Sequence, residues 1–582
     1  MMRRFLTVLA PALLCAIPYE VTFVGLDNGK ALDSIRDAAD LISLQNRPPP
    51  SVNGIRYRIA GDIPNLLKVL HAYGYYDASI TSDVAVEDGL AQVTIYLHTG
   101  PQYTLSSYHI FHGDCTQPPE IACCAPLTPE RLGLHIGDPV QSIHIVNAEL
   151  NLLFELSRCG YPLAKVEKRK VIVDMETKNV EAAACIDEGP FSTFGPMSIF
   201  GLNTVKPKFI LDRIAWQEGL TYNSDEVQHT QKRLLDSNLF SSVLISHDEQ
   251  LDANGQIPMK MRLTEAKHRQ ISLGVFYATV DGPGGVFTWT HRNLRGMGES
   301  VTLNGEFSKR YIAGTLTYKK PDFWVEDQHL RALAQIERQD ITAFLAFTYR
   351  FATFIERNWD IRTDFSYGLE MQHINVADSA SNGRYNLIDL PIFVRYNTAE
   401  DLLNPTRGYS IVYQPQLFQS IDHAHEHFIK QRLTTTFYLP LIQKWFVFAG
   451  RIQVGSIAGA KQRDVPLPIL FLGGSEDDLR GYRYLTVSPL RGNKPLGGRS
   501  AIFLTAETRF RFGNVGIVPF ADFGTVTFRE MPTLHAKWFK SVGLGLRYFA
   551  FFGPLRLDVG FPLDRRHIDP AFRIYASIGQ TF

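Results

Sequence analysis

The chain has 582 residues, with 59 Lys plus Arg against 59 Asp plus Glu, so its formal net charge is zero. That balance offers no basic excess for a nucleic-acid partner, and 45% hydrophobic with 12% aromatic residues excludes a disordered chain. No run of about 18 apolar residues occurs past the N-terminus, which excludes a helical membrane protein. The mean hydropathy of −0.09 is compatible with a membrane β-barrel, whose strands average an apolar face against a polar one. Length sets an expectation of about four domains at ~150 residues each.

Arg3 and Arg4 precede an apolar stretch, Phe5 to Ile17, closed by Pro18. Residues 1–18 read as a secretory signal peptide, too short to span a bilayer; Pro11 and the two arginines argue against a buried first helix. Bulky Leu14 before Cys15 argues against a lipoprotein cysteine, and no small-x-small triplet fixes the cleavage point.

From there to about residue 266 a unit recurs three times. Leu66, Leu67, Val69 and Leu70 fall on one side of a helix ending at Gly74, and Leu150, Leu152, Leu153 and Leu156 do the same before Gly160. The phrase Gly74-Tyr75-Tyr76-Asp77-Ala78-Ser79-Ile80 echoes in Gly160-Tyr161-Pro162-Leu163-Ala164-Lys165-Val166 and, more weakly, in Ser237-Asn238-Leu239-Phe240-Ser241-Ser242-Val243. Spacings of 86 and 77 residues predict three strand–helix–helix–strand–strand repeats, 19–103, 104–190 and 191–266. Cys115, Cys123, Cys124, Cys159 and Cys185 lie in or at the edges of the second. In an exported chain they predict one or two disulfides with at least one thiol left over; their spacing does not match a zinc knuckle.

From about residue 267 strict alternation replaces helical spacing. Val301, Leu303, Gly305 and Phe307 alternate with Thr302, Asn304, Glu306 and Ser308; Leu555, Leu557, Val559 and Phe561 alternate with Arg556, Asp558, Gly560 and Pro562. One face is apolar and the other polar or tiny. The pattern over 267–582 divides into about sixteen strands, a porin-like count, with Trp289, Trp324, Trp445, Phe446 and Phe448 suited to interface girdles. There is no G-x-S-x-G, no H-E-x-x-H and no P-loop. His423, His425 and His427 alternate at a strand edge and read as a solvated loop rather than a metal site. The expectation is a non-enzyme with no cofactor and no metal.

The long connection 459–500 holds Phe471-Leu472-Gly473-Gly474-Ser475-Glu476-Asp477-Asp478-Leu479-Arg480-Gly481-Tyr482. This resembles the loop hallmark of the outer-membrane assembly factor superfamily, which comprises BamA-type, TamA-type and two-partner secretion proteins. Four further stretches follow the same family in order: Trp289 to Glu299, Asp401 to Gly408, Pro519 to Gly524 and Ser577 to Phe582. Three N-terminal repeats, called POTRA domains in that family, are similar to the TamA type, while the insertion around Asp114 to Pro126 has no family counterpart. The resemblance implies an α+β N-terminal half of three POTRA domains followed by a ~16-stranded outer-membrane barrel.

The resemblance further implies a loop motif (Gly473, Gly474, Leu479, Arg480, Gly481, Tyr482) folded into the lumen onto Glu507, Phe520, Asp522 and Gly524. A buried guanidinium needs carboxylates. Alternation places Phe520 and Asp522 on one strand face, and Glu507, Arg509 and Arg511 on one face of the preceding strand. Asp522 is therefore the expected partner of Arg480, with Glu507 as second acceptor. The first and last barrel strands are expected to pair in a weak lateral seam at Ile271, Leu273, Val275, Gly579 and Phe582, with Gly579 supplying a kink. The implied function is insertion, assembly or translocation of outer-membrane and autotransporter-type proteins. The implied setting is the bilayer of the outer membrane, with the repeats in the periplasm, an inner-membrane-anchored TamB-like partner and unfolded outer-membrane proteins as substrates. Secretion of one dedicated exoprotein and phospholipid transport with the TamB-like partner are the alternatives.

Overall fold

A computed structural model describes residues 17–119, 121, 126–278, 282–401, 403–422, 426–442, 445–551 and 553–582. Residues 1–16, where the signal peptide is expected, and Cys123, Cys124, Leu402, His423 and His425 lie outside the described residues. The chain falls into two compact units. The first carries the repeats. The second carries the barrel strands together with Gly201–Asp212 and Leu235–Ser242 of the third repeat.

Each repeat is built on a three-stranded sheet in which the third strand in sequence lies centrally, parallel to the first and antiparallel to the second. In the first repeat the central strand Leu90–His98 buries Ala91, Val93, Ile95 and Leu97 on one face, at alternate positions. The helix Val52–Ala72 closes that face with Ile55, Ile59, Leu66 and Leu70, and Ser51 caps its first turn by accepting from the Gly54 N–H. The second repeat departs from the expected two helices. Among the described residues it has one, Ser142–Arg158. Where a first helix is expected, the chain makes tight turns at 128–134 that deliver Leu132 and Leu134 into the core. Leu152 and Leu156 are buried as the spacing predicts, but Leu150 points outward, because a helix turns 100° per residue and 150 falls off the 152/156 stripe. Cys115 and Cys185 are joined in a disulfide that ties the inserted segment to the central strand Asn179–Asp187, and Cys159 is a free thiol. The third repeat packs Phe194, Trp216, Tyr222, Ile257 and Met259 together.

The second unit is a 16-stranded antiparallel sheet in which every strand pairs with its sequence neighbours, from Arg269–Ala278 to Arg573–Ile578. Its faces are reversed relative to a soluble protein. Leu303, Phe307, Leu316, Ile336 and Phe351 face outward, whereas Glu370, Asp389, Glu507, Asp522 and Asp558 are buried inside. That arrangement places an apolar band toward lipid and a polar lumen within. Between the strands Phe446–Ala458 and Ser500–Phe512 the chain makes its long excursion, with a short hairpin at Leu490–Arg491 and Lys494–Pro495.

Candidate functional site at the lumenal loop and the sheet ends

The loop from Phe471 to Tyr482 is shaped by its own residues before it meets the wall. Asp478 accepts from the Gly474 and Ser475 N–H groups at 2.9 and 2.8 Å, closing a tight turn. Gly474 sits at φ +105°, where a Cβ would come within 2.5 Å of the Arg483 carbonyl oxygen. The turn projects Arg480, 1% exposed, onto the inner wall.

Arg480 uses its whole fork. Its Nε and Nη2 donate to the two oxygens of Asp522, both at 2.8 Å, and its backbone N–H reaches the same carboxylate at 3.1 Å. Nη1 donates to Glu507 at 2.8 Å and to Asp558 at 2.9 Å. The guanidinium lies 3.4 Å from the ring centre of Phe520, a stacking geometry that suits arginine. One side chain thus binds three strands: Ser500–Phe512, Val515–Thr527 and Gly553–Pro562. The remaining oxygens of the carboxylates are also occupied. Arg509 donates to Glu507 at 3.0 and 3.1 Å, Arg556 to Asp558 at 2.7 Å, and Arg547 to the other Asp558 oxygen. Four guanidiniums and three carboxylates share a region closed to solvent, and such a network is stable only when every member is bonded.

The neighbouring loop residues dock equally closely. Gly481 donates its N–H to the Tyr575 hydroxyl at 2.8 Å, and its backbone lies so near Gly560 that a Cβ on either would meet the other's main chain at 3.0 Å. Tyr482 donates to the Lys540 carbonyl at 2.8 Å and packs edge-on against Phe539. Leu479 is fully buried beside them, and Gly473 and Gly524 leave room for the ring of Phe503. Asp558, Arg547 and Tyr575 carry no motif. Alternation puts the first two on polar strand faces, but nothing in sequence says that they meet this loop.

The sheet ends differ from expectation. Among the described residues Arg269–Ala278 pairs only with Gly282–His291, and Arg573–Ile578 only with Gly553–Pro562; no ladder joins the first strand to the last. At the far end Gly579, with a φ of +95°, ends the last strand after six residues. Gln580 then bonds Leu403, Asn404 and Arg547. Thr581 donates to Glu507 at 2.7 Å, and the Phe582 oxygen accepts from Arg509 at 3.1 Å. Phe582 therefore sits inside the lumen beside Tyr438 rather than on the sheet edge. Ile271, Leu273 and Val275 remain on the first strand, whose second edge is without a ladder among the described residues, and Val275 is 93% exposed.

A second anchor lies where the barrel begins. Glu265 accepts from the N–H groups of Asn203, Thr204 and Val205 and from the Thr204 hydroxyl. Burial pushes this carboxyl up, but the four donors outweigh it and hold it down at about 2. In the same unit the hairpin after His291 is fixed by Asn293 accepting from Gly298, and its Gly296 carbonyl accepts from Lys206.

Residues 293–582 match the Omp85 superfamily domain. The chain is 23% identical over 538 residues to the outer membrane protein assembly factor BamA of Nitratidesulfovibrio vulgaris, covering 88% of this chain and 66% of that protein. It is 20% identical over 596 residues to BamA of Neisseria meningitidis serogroup B, covering 90% and 73%. The chain thus spans about two thirds of the length of these curated relatives. The crystal structure of BamA from Haemophilus ducreyi lacking POTRA domains 1-3 superposes with a TM-score of 0.68 at 18% identity, covering 81% of this chain and 99% of that one. The three-stranded repeats are POTRA domains, the sixteen strands form an outer-membrane barrel, and the chain belongs to the Omp85 superfamily.

Proposed function

We propose that the protein is an outer-membrane assembly factor that receives an incoming strand at the free edge of Arg269–Ala278. The observation that carries this reading is the free second edge of the first strand, together with a last strand whose following residues, Thr581 and Phe582, turn into the lumen. An exposed antiparallel edge presents a row of N–H and C=O groups, and a new strand satisfies them without any prior side-chain match. The curated BamA relatives are named for assembly of outer membrane proteins. The Arg480 cluster supports the same reading by holding the last five strands rigid while the opposite edge stays open. The three POTRA sheets, each with a strand edge of its own, favour a TamA-type protein working with a TamB-like periplasmic partner.

Site-specific photocrosslinkers at Leu273 and Val275, and others on the first repeat, test this in living cells. Adducts with unfolded outer-membrane proteins at the edge, and with a TamB-like protein at the repeat, are the expected outcome. One secreted exoprotein as the sole adduct would replace assembly with dedicated secretion. Phospholipid adducts alone would point to lipid transport.

A further inference from the structure

Beside the same loop, three cations face one lumenal cavity of about 360 Å³. Lys430 and Arg432 lie two residues apart on the inner face of His427–Ile442, and Arg451 on the inner face of the next strand, Phe446–Ala458. Their state contrasts with that of Arg480. Among the described residues none of the three makes an ion pair within 4 Å, and the buried Nε atoms of both Arg432 and Arg451 have no hydrogen-bond acceptor. Lys430 donates to a single carbonyl, that of Ile469, at 2.6 Å. One buried carboxylate, Asp478, lines the same cavity, but one of its oxygens is engaged by two backbone N–H groups of the loop turn; Asp477 is exposed. Each guanidinium of the Arg480 cluster has a carboxylate, whereas these two arginines and the lysine have ring faces instead: Lys430 and Arg432 lie 5.3 and 5.8 Å from the Phe471 ring centre and Arg451 6.0 Å from that of Phe582. All three side chains are half-buried, and a guanidinium Nε closed to solvent without an acceptor is costly unless an anion completes it.

We propose that this cavity is a phosphate site, with Lys430, Arg432 and Arg451 holding the phosphate of an organic phosphate ligand. Three cations exceed what one monoanionic carboxylate neutralises, whereas a dianionic tetrahedral group offers separate oxygens to two forked guanidiniums and an ammonium. The cavity is several times larger than a phosphate ion needs. Its lining also includes Leu470, Phe471 and Leu472 of the loop, apolar surface that suits the carbon part of a phosphate ester. Because Lys430 already reaches the loop at Ile469, a ligand here ties the loop to two strands that the Arg480 side chain does not bond. This inference does not depend on the assembly reading above.

The test uses the full chain in phosphate-free phosphatidylcholine-analogue-free maltoside micelles and in lipid nanodiscs, with Arg432→Gln and Arg451→Gln variants whose barrels are verified by heat-modifiable migration. Lys430→Gln serves if either variant does not fold. Pyrophosphate, at ionic strength matched with chloride, is the free probe in micelles, and discs doped with phosphatidic acid present the head group. Saturable pyrophosphate binding that weakens by at least about tenfold in each variant, the loss expected for a charge-assisted bond, supports the site and a soluble phosphate ester as its ligand. A rise in unfolding midpoint seen only in phosphatidic-acid discs, and absent from the variants, supports it with a lipid head group as the source. No effect of either probe, or an effect that both variants retain, overturns it.

Discussion

At the scale of single residues, Arg480 is a keystone whose value lies in the number of groups that depend on it. Its removal leaves Asp522, Glu507 and Asp558 buried with fewer donors, so Arg480→Ala is expected to destabilise the docked loop by about 3–5 kcal/mol. Loss of protease resistance between residues 459 and 499 and a lower temperature of heat modification measure the effect. Arg480→Lys should behave nearly as badly, because an ammonium cannot fork to two strands at once. The Arg480–Asp522–Glu507 relation is legible in sequence, since alternation fixes which side chains share the inner face and the loop motif supplies the cation. Asp558 is not, because it lies 78 residues from Arg480 and only the curl of the sheet brings the two together. A different residue-scale test concerns His112 in the second repeat. Donation of a hydrogen bond to the Glu188 carboxylate, with the charge of that group, raises the His112 imidazole pKa above 6.5. The sign follows: the pair's contribution is complete below the unfolded value near 6.5 and fades as pH rises through the folded value. An NMR titration should find the His112 midpoint above 6.5 and Glu188→Gln should bring it down.

At the scale of elements, Gly579 decides where the last strand stops. Valine at a positive φ costs about 1–3 kcal/mol, so Gly579→Val is expected to straighten the terminus and withdraw Thr581 and Phe582 from the lumen. In a Thr581→Cys background, thiol labelling by an aqueous maleimide should rise sharply when Gly579→Val is added. The sequence indicates a kink at this glycine but not its direction, which is set by acceptors and donors on distant strands, Glu507 and Arg509. The disulfide is a second case. Five cysteines near one repeat fix that a bridge is plausible and leave its connectivity open; the topology selects Cys115–Cys185 because the inserted segment crosses the end of the central strand. Removing the pair by Cys115→Ala with Cys185→Ala should cost the second repeat about 2–5 kcal/mol, visible as proteolysis confined to residues 104–190.

At the scale of the whole molecule, two periodicities define two units, and their different legibility has a physical basis. Strand count and sidedness are local properties of alternation, so sixteen strands are readable one at a time. Whether the sheet ends meet is a global property that no single strand's alternation carries; a weak seam is the expectation, and among the described residues no ladder joins the two ends. The missing first helix of the second repeat has the same origin: the segment 128–134 buries only Leu132 and Leu134, too few contacts to propagate a helix.

The docked loop also gathers distant parts of the chain at one point. Arg480 meets Glu507, Asp522, Asp558 and Thr581 at sequence separations of 27, 42, 78 and 101 residues. Contacts of such long range each close a large loop of chain, and because all four share one side chain they stand or fall together. The backbone contact of Gly481 with Gly560 adds a fifth fixed point that no side chain can enter. Local damage at the loop tip is therefore expected to loosen the last hundred residues as one body.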